Sequence, residues 1–432
     1  MVKVMKLLIS FNEFLLEKAM SDHGQNLILE GGAAGHMSHP FDDKSLTFGD
    51  FKRMIEAGLQ GELNFEEDPT EKTDGQNLFA TVKDGRVLFA RNAGQLRNPL
   101  DLNGITKMFA DHPSDAVRNT FTMAAQDLAN SLPRINQKQQ EEIFKGGNSF
   151  MNMELIYSGN PNVINYDRDV IQFHGIQHTD GQGNVTGSDS RPARELAKIL
   201  QDINAHVGRT FTMIPPQVLV LRRDEDFSVK LPYFMKKIQD LQARYRLNDS
   251  DEVSRYHEMW WREEIDKSFG NVPQDVKEGL LQRWAYNNKG AMDFRAMAKM
   301  LDAKQMDAIK QYDKMDAGKK YKENIRPFED LFLEFGSVVL KNASNFLAAS
   351  PSAEMQRLHN QIRTEADKIR TSGGAEQIAK VEAELARLNR IGGIESIIPS
   401  EGLVFKYNGK IYKLTGTFAA INQLMGIIKY GR

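Results

Sequence analysis

The chain has no cysteine at any of its 432 positions. Disulfides, thiolate nucleophiles and cysteine-ligated zinc are therefore excluded. A reducing compartment fits that absence, and a cytoplasmic location is the expectation. An excess of one charge sign is also lacking, since the formal net charge is only −2. The overall field neither demands nor forbids a nucleic-acid partner, so any basic surface must be local. No apolar run reaches the ~18 residues that a membrane span needs, and no membrane partner is expected. The opening MVKVMKLLISFNEFLLEKAM starts like a signal peptide but carries Glu13 and Glu17 early. Its Leu7, Leu8, Phe11, Phe14 and Leu15 recur at helical spacing, which predicts an amphipathic helix rather than a targeting peptide.

What is present divides into β-containing ends and a helical middle. Residues 1–70 are expected to form a helical extension, with EGGAAGHMSHPFDD (30–43) a Gly-rich loop. His36 and His39 have no third ligand nearby, so a loop packed near a site, touching a phosphate, is preferred over a metal centre. Thr47, with Asp50 three places on, predicts a helix N-cap. Asp84-Gly85 predicts a β-hairpin over 75–92. Residues 104–145 read as mixed helix, 149–177 as strands around an Asn/Gly/Pro turn, and 178–190 as a polar loop. One helix and a strand, QVLVLRR, are expected over 191–230.

Residues 231–395 are expected to form a helical insertion, because glycine thins while Lys, Glu, Ala, Met and Leu dominate. Two of its helices should pack as a hairpin. One carries Met355, Leu358, Ile362 and Ile369; the other carries Ile378, Val381, Leu385 and Leu388 and stops at Gly392-Gly393,. The second stripe is expected in the core rather than as a partner zipper. Of Trp260 and Trp261, adjacent on a helix, one should be core and the other part-exposed. KKYKENIR (319–326) is expected as a solvated face. Asn408-Gly409 predicts a second hairpin over 401–416, and AINQLMGIIKY a closing helix.

EKTDGQN (71–77) sets a lone lysine against an Asp-Gly turn ahead of the first hairpin. Lysine is a nucleophile only as the free amine, and its ordinary pKa is ~10.4. Neighbouring lysines or a metal would lower it. The turn glycine, Gly75, would let a ligand approach the backbone closely. Alone, Lys-x-Asp-Gly is a weak signal, and a solvated turn lysine is its ordinary meaning.

Order and company change that reading. After Lys72 come Arg91, Glu154 in MELI, Phe173 in IQFHGI, Glu401 and Lys406 in EGLVFK, and Lys413 in IYKLTG. The series resembles the motifs of the covalent nucleotidyltransferases: ATP-dependent DNA ligases, RNA ligases and mRNA capping enzymes. The resemblance implies an α+β core of antiparallel sheets flanked by helices. It would span 71–230 and 396–432, interrupted by the insertion. It also implies an ATP- and Mg²⁺- (or Mn²⁺-) dependent polynucleotide ligase that joins 5′-phosphate to 3′-hydroxyl ends.

In that reading Lys72 accepts AMP, and Lys406 and Lys413 clamp the α-phosphate and depress the pKa of Lys72. Glu401, with Asp74, holds the metal. Glu154 accepts from a ribose hydroxyl, and Phe173 stacks on adenine. Arg91 binds a 5′-phosphate or the β/γ-phosphates. Glu71, Gly75 and Asn77 complete the nucleotide contacts.

The chain departs from the pattern in places. Thr415 stands where motif V has its second lysine, which leaves Lys410 or Lys406 as substitutes. Asp74 resembles DNA ligases, whereas Asn77 resembles editing-type RNA ligases. Only Thr417 to Arg432 follow motif V, too little for an OB domain, which points to RNA-ligase-like members. Such economy suggests a viral or phage origin, and the protein is expected to act as a monomer on DNA or RNA strand ends. The rival readings are a GTP-dependent capping guanylyltransferase and a non-catalytic nucleic-acid-binding protein on the same core.

Overall fold

The computed structural model describes residues 37–430 except 190, 205–209, 287, 289–292, 349–350, 391–392 and 394–396. The expected N-terminal amphipathic helix and His36 lie outside these residues. The chain forms two compact units. One contains Phe41–Lys52 and Met235–Asp330; the other contains Arg53–Phe234, Leu331–Arg432 and the described part of Leu29–Pro40.

The first unit is helical. Thr47 and Asp50 bond reciprocally at the start of the Phe48–Gln60 helix, each side chain accepting from the other's backbone N–H at 3.0 and 2.8 Å. That is the reciprocal cap implied by the Thr-x-x-Asp spacing. Trp261 is fully buried with Ile265, Leu280, Trp284 and Ile309. Trp260 is half-buried and stands edge-on to Trp261. In KKYKENIR, Lys319 pairs with Asp316 and Lys320 with Glu323, as expected of a solvated face.

The larger unit is mixed α+β, and its sheets are mainly antiparallel. β1 (Thr70–Lys72), β10 (Gly402–Tyr407) and β11 (Lys410–Leu414) make a three-stranded sheet in the order β1-β10-β11. A larger sheet runs β3-β2-β4-β5-β6, from β2 (Gln76–Lys83), β3 (Arg86–Ala90), β4 (Ser149–Ile156), β5 (Val170–Thr179) and β6 (Val185–Asp189). β7 (Thr212–Ile214) joins it parallel to β5, and β8 (Val220–Leu221) pairs with β9 (Ala343–Ser344). Both expected hairpins form. Asp84 and Gly85 have φ of 52° and 70°, Asn408 and Gly409 of 50° and 75°, the positive values that a two-residue hairpin turn requires,.

One face of the larger sheet carries the main core. Leu78, Phe89, Met153 and Phe173 meet Ile105, Phe121, Leu128 and Leu196 from the helices Leu102–Ala110, Asp115–Ser131 and Arg191–Asn204. The expected polar loop at 178–190 is instead the β5–β6 hairpin. Asp180 accepts the N–H groups of Gln182 and Asn184 at 2.8 Å each, which folds a polar stretch into a turn,.

The helical segment expected as one block over 231–395 is divided, with Leu331 onward belonging to the sheet-bearing unit. The reason lies in its apolar stripes. Leu358, Ile362 and Ile369 of the Pro351–Ser372 helix pack with Val381 and Leu388 of the Ala375–Arg390 helix, the expected hairpin. The same cluster contains Ile156 at the end of β4, Val163 and Ile164 after it, and Ile421 and Leu424 of the closing Phe418–Tyr430 helix.

Gly336 fixes how closely the Ala317–Lys341 helix approaches the end of β11. A Cβ there would lie 2.2 Å from the Thr415 carbonyl oxygen, and a backbone atom cannot yield as a flexible side chain does. Gly336→Ala should therefore lower stability by roughly 1–3 kcal/mol. Chemical denaturation would test this; an unchanged midpoint would contradict the close approach.

Candidate active site

Residues directly opposite in antiparallel strands share a face. Thr70 pairs with Val404, Lys72 with Gly402, Val404 with Lys413 and Lys406 with Ile411. Lys72 and Lys413 therefore lie on one face of the small sheet, and Glu71, opposite Leu403, lies on the other. On the larger sheet Asn77 pairs with Glu154 and Glu154 with Gln172, which puts these polar residues on the face away from the main core. A cleft is lined by Thr70, Val404 and Ile411 from the small sheet and by Asn152, His174 and Gln177 from the larger. Lys72 is two positions beyond Thr70 on the same side of β1. Thr73 ties the sheets together, its hydroxyl donating to Gln172 at 2.7 Å, both side chains fully buried.

Lys72 Nζ contacts Glu401 Oε1 at 2.6 Å. Burial favours the neutral amine, but Glu401, Glu154 and Asp74 outweigh it and hold the Lys72 pKa above its usual value. The expected depression by neighbouring lysines is therefore corrected, because three carboxylates act on this amine. Asp74 is pushed up to about 6 by burial and by Glu401, even though the Val163 and Ile164 N–H groups donate to it at 2.7 and 2.9 Å. Its own N–H donates to the Tyr166 hydroxyl at 3.0 Å. Burial would also raise Glu154, but His174, Lys72 and Arg91 hold it below the usual carboxylate range. His174 Nε2 is 3.6 Å from Glu154 Oε2. Glu154 Oε1 accepts from the Gly75 N–H at 3.2 Å.

Four further expectations need correction. Phe173 is fully buried in the main core and cannot stack on a ligand in the cleft. An irregularity in the β4–β5 pairing leaves His174 as the extra residue, since Met153 pairs with Phe173 and Asn152 with Gly175. Such a bulge re-aims a side chain, and His174 is the ring that lines the cleft.

Glu71 is fully buried on the opposite face from Lys72, its Oε2 accepting the Leu347 N–H at 2.6 Å, so its side chain makes no cleft contact. Lys406 does line the cleft, but it pairs with Glu67 and Glu66 at 3.5 and 3.7 Å. It sits four residues along β10 from Gly402, about 13 Å at ~3.3 Å per residue, too far to clamp a phosphate at Lys72. Gly75 is required for close approach of protein rather than ligand, because a Cβ there would meet Glu154 Cγ and the Leu155 carbonyl oxygen, each at 2.6 Å.

Arg91 stands at the margin. Its Nη1 donates to the Asn77 carbonyl at 2.6 Å and its guanidinium lies 5.1 Å from the Phe121 ring centre. The Asn77 side chain donates to Asn152 Oδ1 at 2.5 Å. His174, Gln172, Thr73 and Tyr166 were not singled out from the sequence, where nothing separates them from ordinary strand and turn residues. No family model, curated protein or solved structure matches the chain.

Burial pushes Glu71 up to about 7 from an ordinary 4.5. Between those values the unfolded chain has released the proton and the folded chain keeps it. Folding then takes up a proton, so stability falls as pH rises through this window, by on the order of 3 kcal/mol. Glu71→Gln keeps an acceptor for Leu347 and should flatten the stability profile between pH 4.5 and 7 relative to the wild type, a comparison in which the Asp74 contribution cancels. Equal slopes in denaturant titrations of the two proteins would refute this. Gly75→Ala should displace Glu154 and cost about 1–3 kcal/mol in the same assay.

Proposed function

We propose that the chain is an ATP-dependent polynucleotide ligase built on a nucleotidyltransferase core, sealing 5′-phosphate and 3′-hydroxyl ends of RNA or DNA. One observation carries this. Lys72, Glu154 and Glu401, which the sequence places on three separate segments, converge beside a cleft lined by two sheets.

Lys72 Nζ attacks the α-phosphorus of ATP. Glu401, its contact partner, takes the proton that frees the amine; a nitrogen–phosphorus bond then forms, the bond to the pyrophosphate oxygen breaks, and the second proton released from the nitrogen leaves with pyrophosphate. A polynucleotide 5′-phosphate then displaces the lysine and carries AMP, and a 3′-hydroxyl displaces AMP to close the strand. Phosphoryl transfer of this kind depends mainly on positioning and electrostatics.

Asp74 and Glu401 interact closely and both offer hard oxygen donors. No cluster of three metal-ligating side chains occurs among the described residues. Two carboxylates suit Mg²⁺, which keeps waters and phosphate oxygens as its remaining ligands. When bound there it supplies the positive charge that neutralises departing pyrophosphate and weakens the hold of the carboxylates on the Lys72 proton. Glu154, on the cleft side of the sheet, accepts from the ribose, and the His174 ring takes the place expected of Phe173 beside the base. Asn77 and Asn152 set that wall of the pocket.

Incubation with α-labelled ATP and Mg²⁺ followed by denaturation should leave covalent label on the protein and none on Lys72→Ala or Lys72→Arg. Glu401→Gln should slow labelling by about 100-fold or more. Label from GTP alone would favour the capping reading, and no label from either nucleotide would remove the enzyme reading.

A further inference from the structure

The small sheet has more than three strands' worth of backbone. β11 is its edge, and the chain before Pro40 covers it. Ser38 pairs with Tyr412 in parallel, and its carbonyl accepts the Lys413 N–H at 2.9 Å. An exposed edge is thereby closed. Alternation along this added strand puts Met37 and His39 on the same side. Met37 lines the cleft with Val404 and Ile411. His39, one step beyond Ser38, feels the charges of both Lys413 and Lys72, and its ring hydrogen-bonds the Lys413 backbone.

The geometry points to His39 as a phosphate-contacting residue of this site, delivered by the added edge strand to stand with Lys72 and Lys413 around one anion. The inference rests on the reading of the cleft as a nucleotide pocket. Nitrogen side chains from β1, from β11 and from the segment bridged to β11 face the same side, and a ring that feels two ammonium charges is an unfavourable place for a further positive charge. Burial, then Lys413, then Lys72 keep the imidazole well below its ordinary pKa. A phosphate placed among the three reverses that penalty, because its negative charge offsets the two ammonium charges and lets the ring donate a hydrogen bond. One ring nitrogen bonds the Lys413 backbone, so the phosphate contact falls to the other.

The test compares adenosine, AMP and ATP binding to the full chain by calorimetry, with His39→Ala and His39→Asn beside the wild type. Both variants should keep the wild-type melting temperature within a few degrees and bind adenosine unchanged. AMP and ATP affinity should fall about tenfold, and Lys72 labelling at subsaturating ATP should fall with them. Unchanged AMP affinity in both variants would overturn the inference. So would an equal loss for adenosine, which would mean that His39 only holds the strand and Met37 in place. Wild-type protein that binds AMP but takes no covalent label would remove the ligase reading while leaving the His39 contact standing. Wild-type protein that binds neither AMP nor ATP would remove both.

Discussion

The contact between Lys72 and Glu401 is the constraint around which the larger unit is organised. It exists because β1 pairs with β10, a strand more than three hundred residues later in the chain. Closing so long a loop carries an entropic cost that grows only slowly with length, so intervening helices can be accommodated if the ends still meet. They meet through ordinary means. The Asn408-Gly409 turn sets the register of β10 against β11. The closing helix then packs Ile421 and Leu424 against the chain that follows β4. The same closure brings Glu401 to Lys72 and Lys413 to the same face of the sheet.

The electrostatics of this arrangement are those of an amine among carboxylates. Lys72 is surrounded by Glu401, Glu154 and Asp74 and stays protonated. Asp74, buried and close to Glu401, is raised to about 6. Burial and the neighbouring Glu401 both disfavour the charged form of Asp74, while Glu154 is held ionised by His174, Lys72 and Arg91,. The sequence reading placed lysines around lysine because it considered motif order alone. Strand register decides otherwise, since Lys406 is directed to Glu66 and Glu67 farther along β10.

Much of the fold was legible wherever a local rule had a local cause. Asp84-Gly85 and Asn408-Gly409 form the turns their dipeptides imply, Thr47 and Asp50 cap their helix, and the stripe at Val381 and Leu388 is core. The candidate site was legible as a list of residue types and less so as a set of directions. Phe173 and His174 are neighbours, and only a pairing irregularity with β4 decides which faces the cleft. A shift of one residue in a strand exchanges the two faces, and no composition or spacing signals it. Glu71 shows the same thing from the other side. It neighbours the proposed nucleophile yet is buried under Leu347, because alternate residues of β1 point opposite ways. The polar 178–190 stretch became a hairpin through Asp180, whose turn-forming bonds carry no apolar signature.

Thr415 bears on the proposal that the pocket draws on a residue from outside the ordered motifs. The position resembling the second lysine of the series lies just past β11, where Thr415 is buried and its carbonyl meets the helix at Gly336. A lysine there would have to bring its side chain into a buried position, at a desolvation cost of several kcal/mol if its charge were left unpaired,. The edge strand at Met37 to His39 reaches the same pocket from the far side of β11, where no helix intervenes in the hydrogen bonding of Ser38 to Lys413. On the proposed reading, an imidazole supplied from that edge would add a third nitrogen donor around the phosphate without placing a permanent third charge beside Lys72 and Lys413.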